Sequence, residues 1–211
     1  YHVAVTRSAA SRFLANLTAQ YNAIYAVALG ADSVMLGTIT SIGSGISALI
    51  STPVGWRVDR YGIKPFYLLG VGLLAGGALC YALAPTWQVI TVAVILVSIA
   101  TRLTGTGCSV ICADSVKNED RVTAQNLCVT VSSMAGLIAP LIAAHLVTVF
   151  GGLNAQGIRP LYYLRFVGYG LVLLFVAAQL REPRQLQKTD IQPKSNFIED
   201  FQKIFEGRGS L

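Results

Sequence analysis

Six apolar stretches recur along the 211 residues, separated by short segments that hold most of the polar residues, glycines and prolines. Most of them have at least the ~20 residues that an α-helix needs to cross the hydrocarbon core of a bilayer. The predicted helices are Ala9–Leu29, Ser33–Gly55, Pro65–Leu83, Gln88–Ala113, Val122–Val149 and Leu161–Leu180. The first is the least apolar, because several amide and hydroxyl side chains lie inside it. The pattern therefore predicts an all-α membrane protein with six transmembrane helices.

Composition supports the same class. Hydrophobic residues make up 54% of the chain and charged residues only 12%, whereas a soluble domain carries about 25% charged residues. No Lys, Arg, Asp or Glu occurs between Phe66 and Thr101, a stretch long enough for most of two spans. The composition therefore favours a membrane protein over a soluble one.

Basic residues predict how the chain is oriented in the membrane. If both ends are cytoplasmic, thirteen of the 16 Lys and Arg residues lie on the inside, Arg159 and marginally Arg165 lie outside, and Arg102 lies within the membrane. This asymmetry follows the positive-inside rule and predicts a multi-pass protein of the inner or plasma membrane. The net charge of +6 is then explained by basic residues on the cytoplasmic side, where they contact anionic membrane lipid. No nucleic acid partner is expected.

Motifs for catalysis are missing from the sequence. It contains no His-Glu-x-x-His zinc motif and no phosphate-binding loop of the Gly-x-x-x-x-Gly-Lys-Ser/Thr form. The cysteines Cys80, Cys108, Cys112 and Cys128 fall within the spans and lack the spacing of a zinc site. The expectation is a protein that is not an enzyme, with no catalytic residues, no cofactor and no metal.

The charged segment between the second and third helices is the most informative part of the chain. Gly55 lacks a Cβ and permits close packing of another helix, and Gly62 permits the positive φ of a sharp turn. Pro65 suits the first turn of the next helix. Asp59 is placed to accept hydrogen bonds from amides at a neighbouring helix N-terminus. The alternative is a solvated polar turn that only orients the protein.

The spacing of Gly55, Asp59, Arg60, Gly62 and Lys64 resembles the signature loop of major facilitator superfamily transporters. The resemblance implies half of a twelve-helix fold, in which residues 1–180 form the N-terminal six-helix bundle. Residues 181–211 resemble the cytoplasmic linker between the halves, and Phe197, Phe201, Ile204 and Phe205 share one face of an amphipathic helix there. The expected partner is the C-terminal half of the same transporter.

A short internal repeat agrees with this architecture. The hexapeptide Gly62–Tyr67 recurs in similar form as Gly157–Tyr162, each time at the predicted start of the third helix of a set of three. The two copies fall on opposite sides of the membrane in the predicted topology. An inverted three-plus-three repeat has this property. The predicted fold is therefore six transmembrane helices arranged as an inverted 3+3 repeat.

Polar residues inside the predicted spans are the candidates for substrate contact or ion coupling. Arg102 lies near the midplane of the fourth predicted helix, where a charge costs at least about 2.5 kcal/mol, so it must face a cavity or a partner. It contacts a substrate anion or takes part in proton coupling, or else it pairs structurally with Asn16, Gln20 or a backbone carbonyl. Asn16 and Gln20 share a helix face and either line an aqueous path or join two helices.

The resemblance also implies a cytoplasmic gate. In the family, an acidic residue at the end of the fourth helix joins the signature loop in a charge cluster. In this chain, that residue is Asp114, which would join Asp59 and Arg60, with Lys64 and Arg121 nearby. The alternative is ordinary anchoring of charges at the membrane surface.

Two functions from different classes follow. The first is secondary active transport of a small-molecule substrate by alternating access, with this chain as the N-terminal half that carries the gating motif. The alternative is a six-helix membrane scaffold, sensor or homodimerising protein without transport.

Overall fold

The computed structural model describes residues 2–61, 63–114 and 121–179, and the side chains of residues 5–58, 64–105 and 122–178. The described residues form seven helices. They are α1 (His2–Ala19), α2 (Tyr21–Ala28), α3 (Ser33–Tyr61), α4 (Ile63–Leu83), α5 (Trp87–Asp114), α6 (Arg121–Val149) and α7 (Ala155–Gln179). Five of them, α3 to α7, are long and apolar enough to cross a membrane. The predicted linker helix lies outside the described residues.

The first predicted helix is two helices in the structure. α1 begins at His2, seven residues before the predicted start, and the helical path breaks at Gln20 before α2 continues it. The early start is possible because Arg7, whose charge suggested a segment outside the helix, is buried among the other helices and only 1% exposed. α2 ends at Ala28, and Gly30 follows it with a φ of 92° and donates its amide to the carbonyl of Val27 at 2.9 Å.

The last helix also begins earlier than predicted. α7 starts at Ala155 rather than Leu161, so Pro160 lies inside the helix instead of opening it. The preceding loop folds back on itself, since the Asn154 amide donates to the carbonyl of Gly152 at 2.8 Å. The Asn154 carbonyl then accepts the amide of Ile158 at 3.1 Å, which begins the helical hydrogen bonding before the proline is reached.

The charged turn between α3 and α4 is shorter than predicted. α3 continues beyond Gly55 to Tyr61, and α4 begins at Ile63, so Gly62 alone separates them and is not described. The prediction that another helix packs closely at Gly55 is wrong for the described residues, because a Cβ there would meet no atom within 4 Å. Pro65 lies in the first turn of α4, as predicted.

The helices alternate in direction, so the bundle has an α3–α4 end and an opposite end where α2, α4 and α7 meet. α4 packs along α5 and α7, α1 packs along α6 and α7, and α3 packs chiefly on α5. One group of buried apolar side chains, including Val58, Val71 and Val176, lies toward the α3–α4 end. Another, including Tyr25 and Tyr162, lies toward the opposite end.

Glycine allows α4 and α5 to approach closely. A Cβ on Gly77 would lie 2.7 Å from Cγ2 of Val97 and 3.5 Å from the carbonyl oxygen of Ala93, both on α5. A Cβ on the neighbouring Gly76 would meet no atom within 4 Å. The backbone of α4 therefore lies close to α5 at Gly77, as it also does at Gly70, where a Cβ would lie 3.3 Å from the carbonyl oxygen of Ala100. Such close contacts give membrane helices packing energy that lipid tails cannot supply.

Gly77→Val should destabilise the protein, because the added side chain must push α4 and α5 apart. The expected cost is about 1–3 kcal/mol, typical of overpacking, and should appear as a lower melting temperature in detergent. Gly76→Val is the matched control with the same change in helix propensity. Equal melting temperatures for the two variants would contradict the close contact.

Candidate functional site

A cavity of about 250 Å³, partly open to its surroundings, lies between α1, α4, α5, α6 and α7, and its lining mixes polar side chains with a largely apolar surface. α1 and α5 both line it, and these correspond to the first and fourth predicted spans. Its polar lining consists of hydroxyl side chains and two arginines: Ser8, Ser11, Arg12, Tyr67, Thr101, Thr104, Ser132, Arg165 and Tyr169. Arginine side chains are costly within a membrane, so the cavity to which Arg12 and Arg165 contribute is the candidate functional site.

Arg165 on α7 is the most deeply buried charge that lines the cavity, with 5% of its surface exposed. Its Nη1 donates a hydrogen bond of 2.6 Å to the hydroxyl oxygen of Thr18 on α1. The guanidinium carbon lies 5.4 Å from the centroid of the Tyr169 ring. The guanidinium is thus held in place, and its buried Nε–H has no acceptor among the described residues.

Arg7 is a second buried cation close to the cavity. Its guanidinium carbon lies 4.4 Å from the ring centroid of Tyr67, which itself lines the cavity. Within the described part of the chain, none of its three guanidinium nitrogens has a hydrogen-bond partner. The aromatic face therefore provides its stabilisation there, as a cation–π contact that is stronger when water is excluded.

Arg12 on α1 is exposed and lines the cavity from another side. Its position depends on close packing between α1 and α6. A Cβ on Gly136 would lie 3.1 Å from Cγ of Arg12 and 2.6 Å from Nδ2 of Asn16. The same Nδ2 donates a hydrogen bond of 3.2 Å to the carbonyl oxygen of Gly136. Asn16 thus joins α1 to α6, one of the two roles expected for it.

Negative charge is scarce around these arginines. Among the side chains that the structure describes, Asp32 is the one acidic group, and it is exposed before α3. Its Oδ1 accepts the backbone amide of Met35 at 2.7 Å, which caps the helix at the end of the bundle away from Arg7. The described part of the chain therefore brings three arginines to one region without a carboxylate.

Arg102 lies on a different side of α5 from the cavity. It is exposed, and its Nε donates a hydrogen bond of 2.5 Å to the hydroxyl of Ser47 on α3. Ser47 is buried and was not predicted as a site residue. Gln20 is exposed at the break between α1 and α2, one turn beyond Asn16. The structure therefore does not bring Arg102, Asn16 and Gln20 into one site.

The proposed gate lies mostly outside the described side chains. The backbone places Asp59 and Arg60 in the last turn of α3, Asp114 at the end of α5 and Arg121 at the start of α6. Their side chains are not described, and neither is Gly62. Lys64 is half-buried in the first turn of α4. The charge cluster therefore stays a prediction.

Three tyrosines close the opposite end of the bundle. The Tyr25 hydroxyl donates to the carbonyl oxygen of Tyr81 at 3.0 Å, and the Tyr162 hydroxyl donates to Oδ1 of Asn22 at 2.8 Å. The rings of Tyr81 and Tyr162 stack with centroids 4.8 Å apart. Arg159 joins the group, since its Nε lies 3.3 Å from the Tyr25 hydroxyl oxygen. These contacts fasten α2, α4 and α7 to one another.

Arg165, Arg7 and Arg12 were not named as site candidates from the sequence. Arg165 was assigned to the outer margin because the start of α7 was predicted too late, and Arg7 and Arg12 were counted only among the basic residues of the cytoplasmic side. With α7 starting at Ala155, Arg165 lies about 15 Å into the helix at 1.5 Å per residue. A usable signal exists, since Arg165 stands within the apolar run from Leu161 onward.

The sequence from residue 6 to residue 208 matches the family model described as Major Facilitator Superfamily. The chain belongs to the major facilitator superfamily. It is a multi-pass membrane protein, as the apolar helices also indicate. No curated protein matches its sequence.

Solved structures of transporters share its fold. A POT family transporter in complex with a thioalcohol-conjugated peptide superposes with a TM-score of 0.68 and is 18% identical over 97% of this chain and 44% of its own. A POT family transporter in complex with 5-aminolevulinic acid gives 0.67, also at 18% identity and with coverage of 97% and 44%. A peptide transporter in complex with sulfate gives 0.66, at 19% identity and with coverage of 98% and 44%. The chain thus spans less than half the length of these transporters.

Thr18→Val should destabilise the protein, because it keeps the side-chain shape but removes the acceptor for buried Nη1 of Arg165. Leaving a buried donor unsatisfied costs about 1–3 kcal/mol, which a melting curve in detergent will detect. Thr18→Ser keeps the hydroxyl and should lose less. A greater loss for the serine variant than for the valine variant would show that methyl packing, not the hydrogen bond, is what Thr18 provides.

Proposed function

We propose that this chain forms one bundle of a secondary active transporter that moves a small solute across the membrane by alternating access. The observation that carries the proposal is the cavity lined by Arg12, Arg165 and several hydroxyl side chains within a bundle of apolar helices, where the cost of placing arginines calls for a function. The shared fold adds support, because the similar structures are of transporters, two of them described in complex with small organic molecules. The membrane is proposed to be the cell membrane, with both ends of the chain cytoplasmic.

A second helix bundle completes the proposed transporter. α6 carries exposed polar residues at helical spacing, Asn126, Thr130 and Ser133, on a side away from its buried Cys128 and Ala139. Polar residues in a membrane helix usually face protein or water rather than lipid. We therefore propose that this side faces the C-terminal half of the same transporter, and that the helices of each half follow an inverted three-plus-three repeat.

The gate is proposed to lie at the α3–α4 end. Asp59 and Arg60 in the last turn of α3 would meet Asp114 at the end of α5, with Lys64 and Arg121 close by. Opposite charges at a partly buried surface bias a two-state equilibrium by one to a few kcal/mol, an estimate that keeps the closed gate reversible. Movement between inward-open and outward-open states would break and remake these pairs.

Uptake into vesicles tests the function. The full-length protein is reconstituted into lipid vesicles, and radiolabelled candidate solutes are offered with and without an imposed proton gradient. Uptake that saturates and exceeds that of protein-free vesicles is expected for at least one solute. A stable homodimer that takes up none of them would favour the scaffold or sensor alternative.

Asp59→Asn should impair transport while insertion and expression are preserved, because it removes charge from the proposed gate but keeps the size of the side chain. A fall in the initial rate of uptake of about tenfold corresponds to 1.4 kcal/mol, within the range expected for such a pair. Asp190→Asn, in the predicted linker, is the matched control. Unchanged uptake by the Asp59 variant would remove this residue from the gate.

Arg102 is proposed to contact the substrate or coupling ion from the side of α5 next to α3, where Ser47 orients it. Arg102→Lys keeps the charge but loses the planar fork, so the KM for uptake should rise several-fold with little change in melting temperature. Ser47→Ala should give a smaller rise in KM. If the lysine and alanine variants of Arg102 both keep the wild-type KM, Arg102 has no part in binding.

A further inference from the structure

The interior of the bundle holds positive charge that the described part of the chain does not balance. Arg165 and Arg12 line one cavity, and Arg7 lies behind the ring of Tyr67 in its wall. Asp32, the acidic group among the described side chains, is at the start of α3 and already accepts an amide hydrogen bond. A buried cation without a negative partner is among the most costly arrangements in a membrane protein.

The geometry of Arg165 fixes its guanidinium beside the cavity. The hydroxyl oxygen of Thr18 accepts a hydrogen bond from Nη1, and the ring of Tyr169 lies beside the guanidinium, so the side chain is held in one orientation. Its Nε is fully covered by the protein and has no acceptor within the described residues, while other atoms of the side chain line the cavity. Guanidinium groups bind carboxylate and phosphate oxygens through charge-assisted hydrogen bonds, so an oxyanion is the ligand that a guanidinium in a cavity wall fits best.

The size and lining of the cavity are compatible with a small anion. A volume of about 250 Å³ is that of roughly eight water molecules at ~30 Å³ each, which is room enough for a phosphate-sized oxyanion or a short carboxylate with its water. Hydroxyls of Ser11 and Thr101 and the exposed guanidinium of Arg12 complete a lining that contains no described carboxylate.

We propose that this cavity is a binding site for a small oxyanion or carboxylate, held between Arg165 of α7 and Arg12 of α1. The anion neutralises the arginines and adds a link between α1 and α7, which both line the cavity. The proposal names the ligand chemistry of the site on which the proposed function rests, but binding itself does not require that the anion be carried. The anion is either the transported solute or a resident ion that stabilises the bundle.

Binding is tested first on the purified full-length protein in detergent. Inorganic phosphate and succinate are titrated at constant ionic strength set with potassium chloride, and the melting temperature is recorded. A ligand at concentration L that binds only the folded state stabilises it by RT ln(1 + L/Kd), so the melting temperature rises with the logarithm of ligand concentration above Kd. A rise of this form with phosphate or succinate is expected. No rise with either would overturn the proposal.

Variants then locate the site. Arg165→Gln and Arg12→Gln should each raise the Kd of the bound anion about tenfold or more, because each removes a charged hydrogen-bond donor. Arg165→Lys should weaken binding less, and Arg57→Gln, which removes an exposed charge from α3, should leave the Kd unchanged. Arg12 is exposed, so its variant should fold even if the Arg165 variant does not. Equal Kd values for wild type and the Arg12 variant would overturn the assignment.

Counterflow in vesicles distinguishes the two sources of the anion. Exchange of radiolabelled phosphate or succinate, abolished by Arg12→Gln, would identify the anion as the transported solute. Anion binding without exchange, in vesicles that take up another solute, would identify a resident ion. Anion binding by a protein that transports no tested solute would contradict the proposed function but would still support the anion site. Exchange that Arg12→Gln leaves unchanged would remove the site from the path.

Discussion

Close contact between helix backbones is the constraint on which the rest of this bundle depends. Lipid tails are as apolar as leucine, so helices in a membrane associate through van der Waals packing and hydrogen bonds rather than by escaping from water. Gly77 brings α4 against α5, and Gly136 brings α1 against α6 so that Asn16 can reach a backbone carbonyl. These contacts set the rotation of α1, and that rotation directs Arg12 into the cavity and Thr18 toward Arg165.

The existence of the helices was predictable, and some of their ends were not. Long apolar windows define α3 to α7 because a span must satisfy its backbone internally and cover it with apolar side chains. The starts of α1 and α7 were misplaced because hydropathy treats an arginine or a proline as a boundary. Arg7 is covered by Tyr67, and Pro160 follows helical hydrogen bonds that are already made, so neither residue ends its helix.

The site was predictable only in part, for a reason of geometry. Asn16 and Arg102 stood out because polar groups in apolar spans must find partners, yet the partners, Gly136 and Ser47, lie 120 and 55 residues away. Arg165 meets Thr18 across 147 residues. Which polar groups meet depends on the rotation of each helix about its axis, and that rotation is fixed by contacts distant in sequence.

The tyrosine contacts at the end of the bundle opposite to the α3–α4 turn restrict how its helices can move. Tyr25, Tyr81 and Tyr162 tie α2, α4 and α7 together through hydrogen bonds and a stacked ring pair. If α4 tilted about this fastened end by about 5°, the far end of a helix of roughly 30 Å, at 1.5 Å per residue, would move by about 3 Å. The displacement would be largest near Lys64, where α4 begins, and smallest at Tyr81.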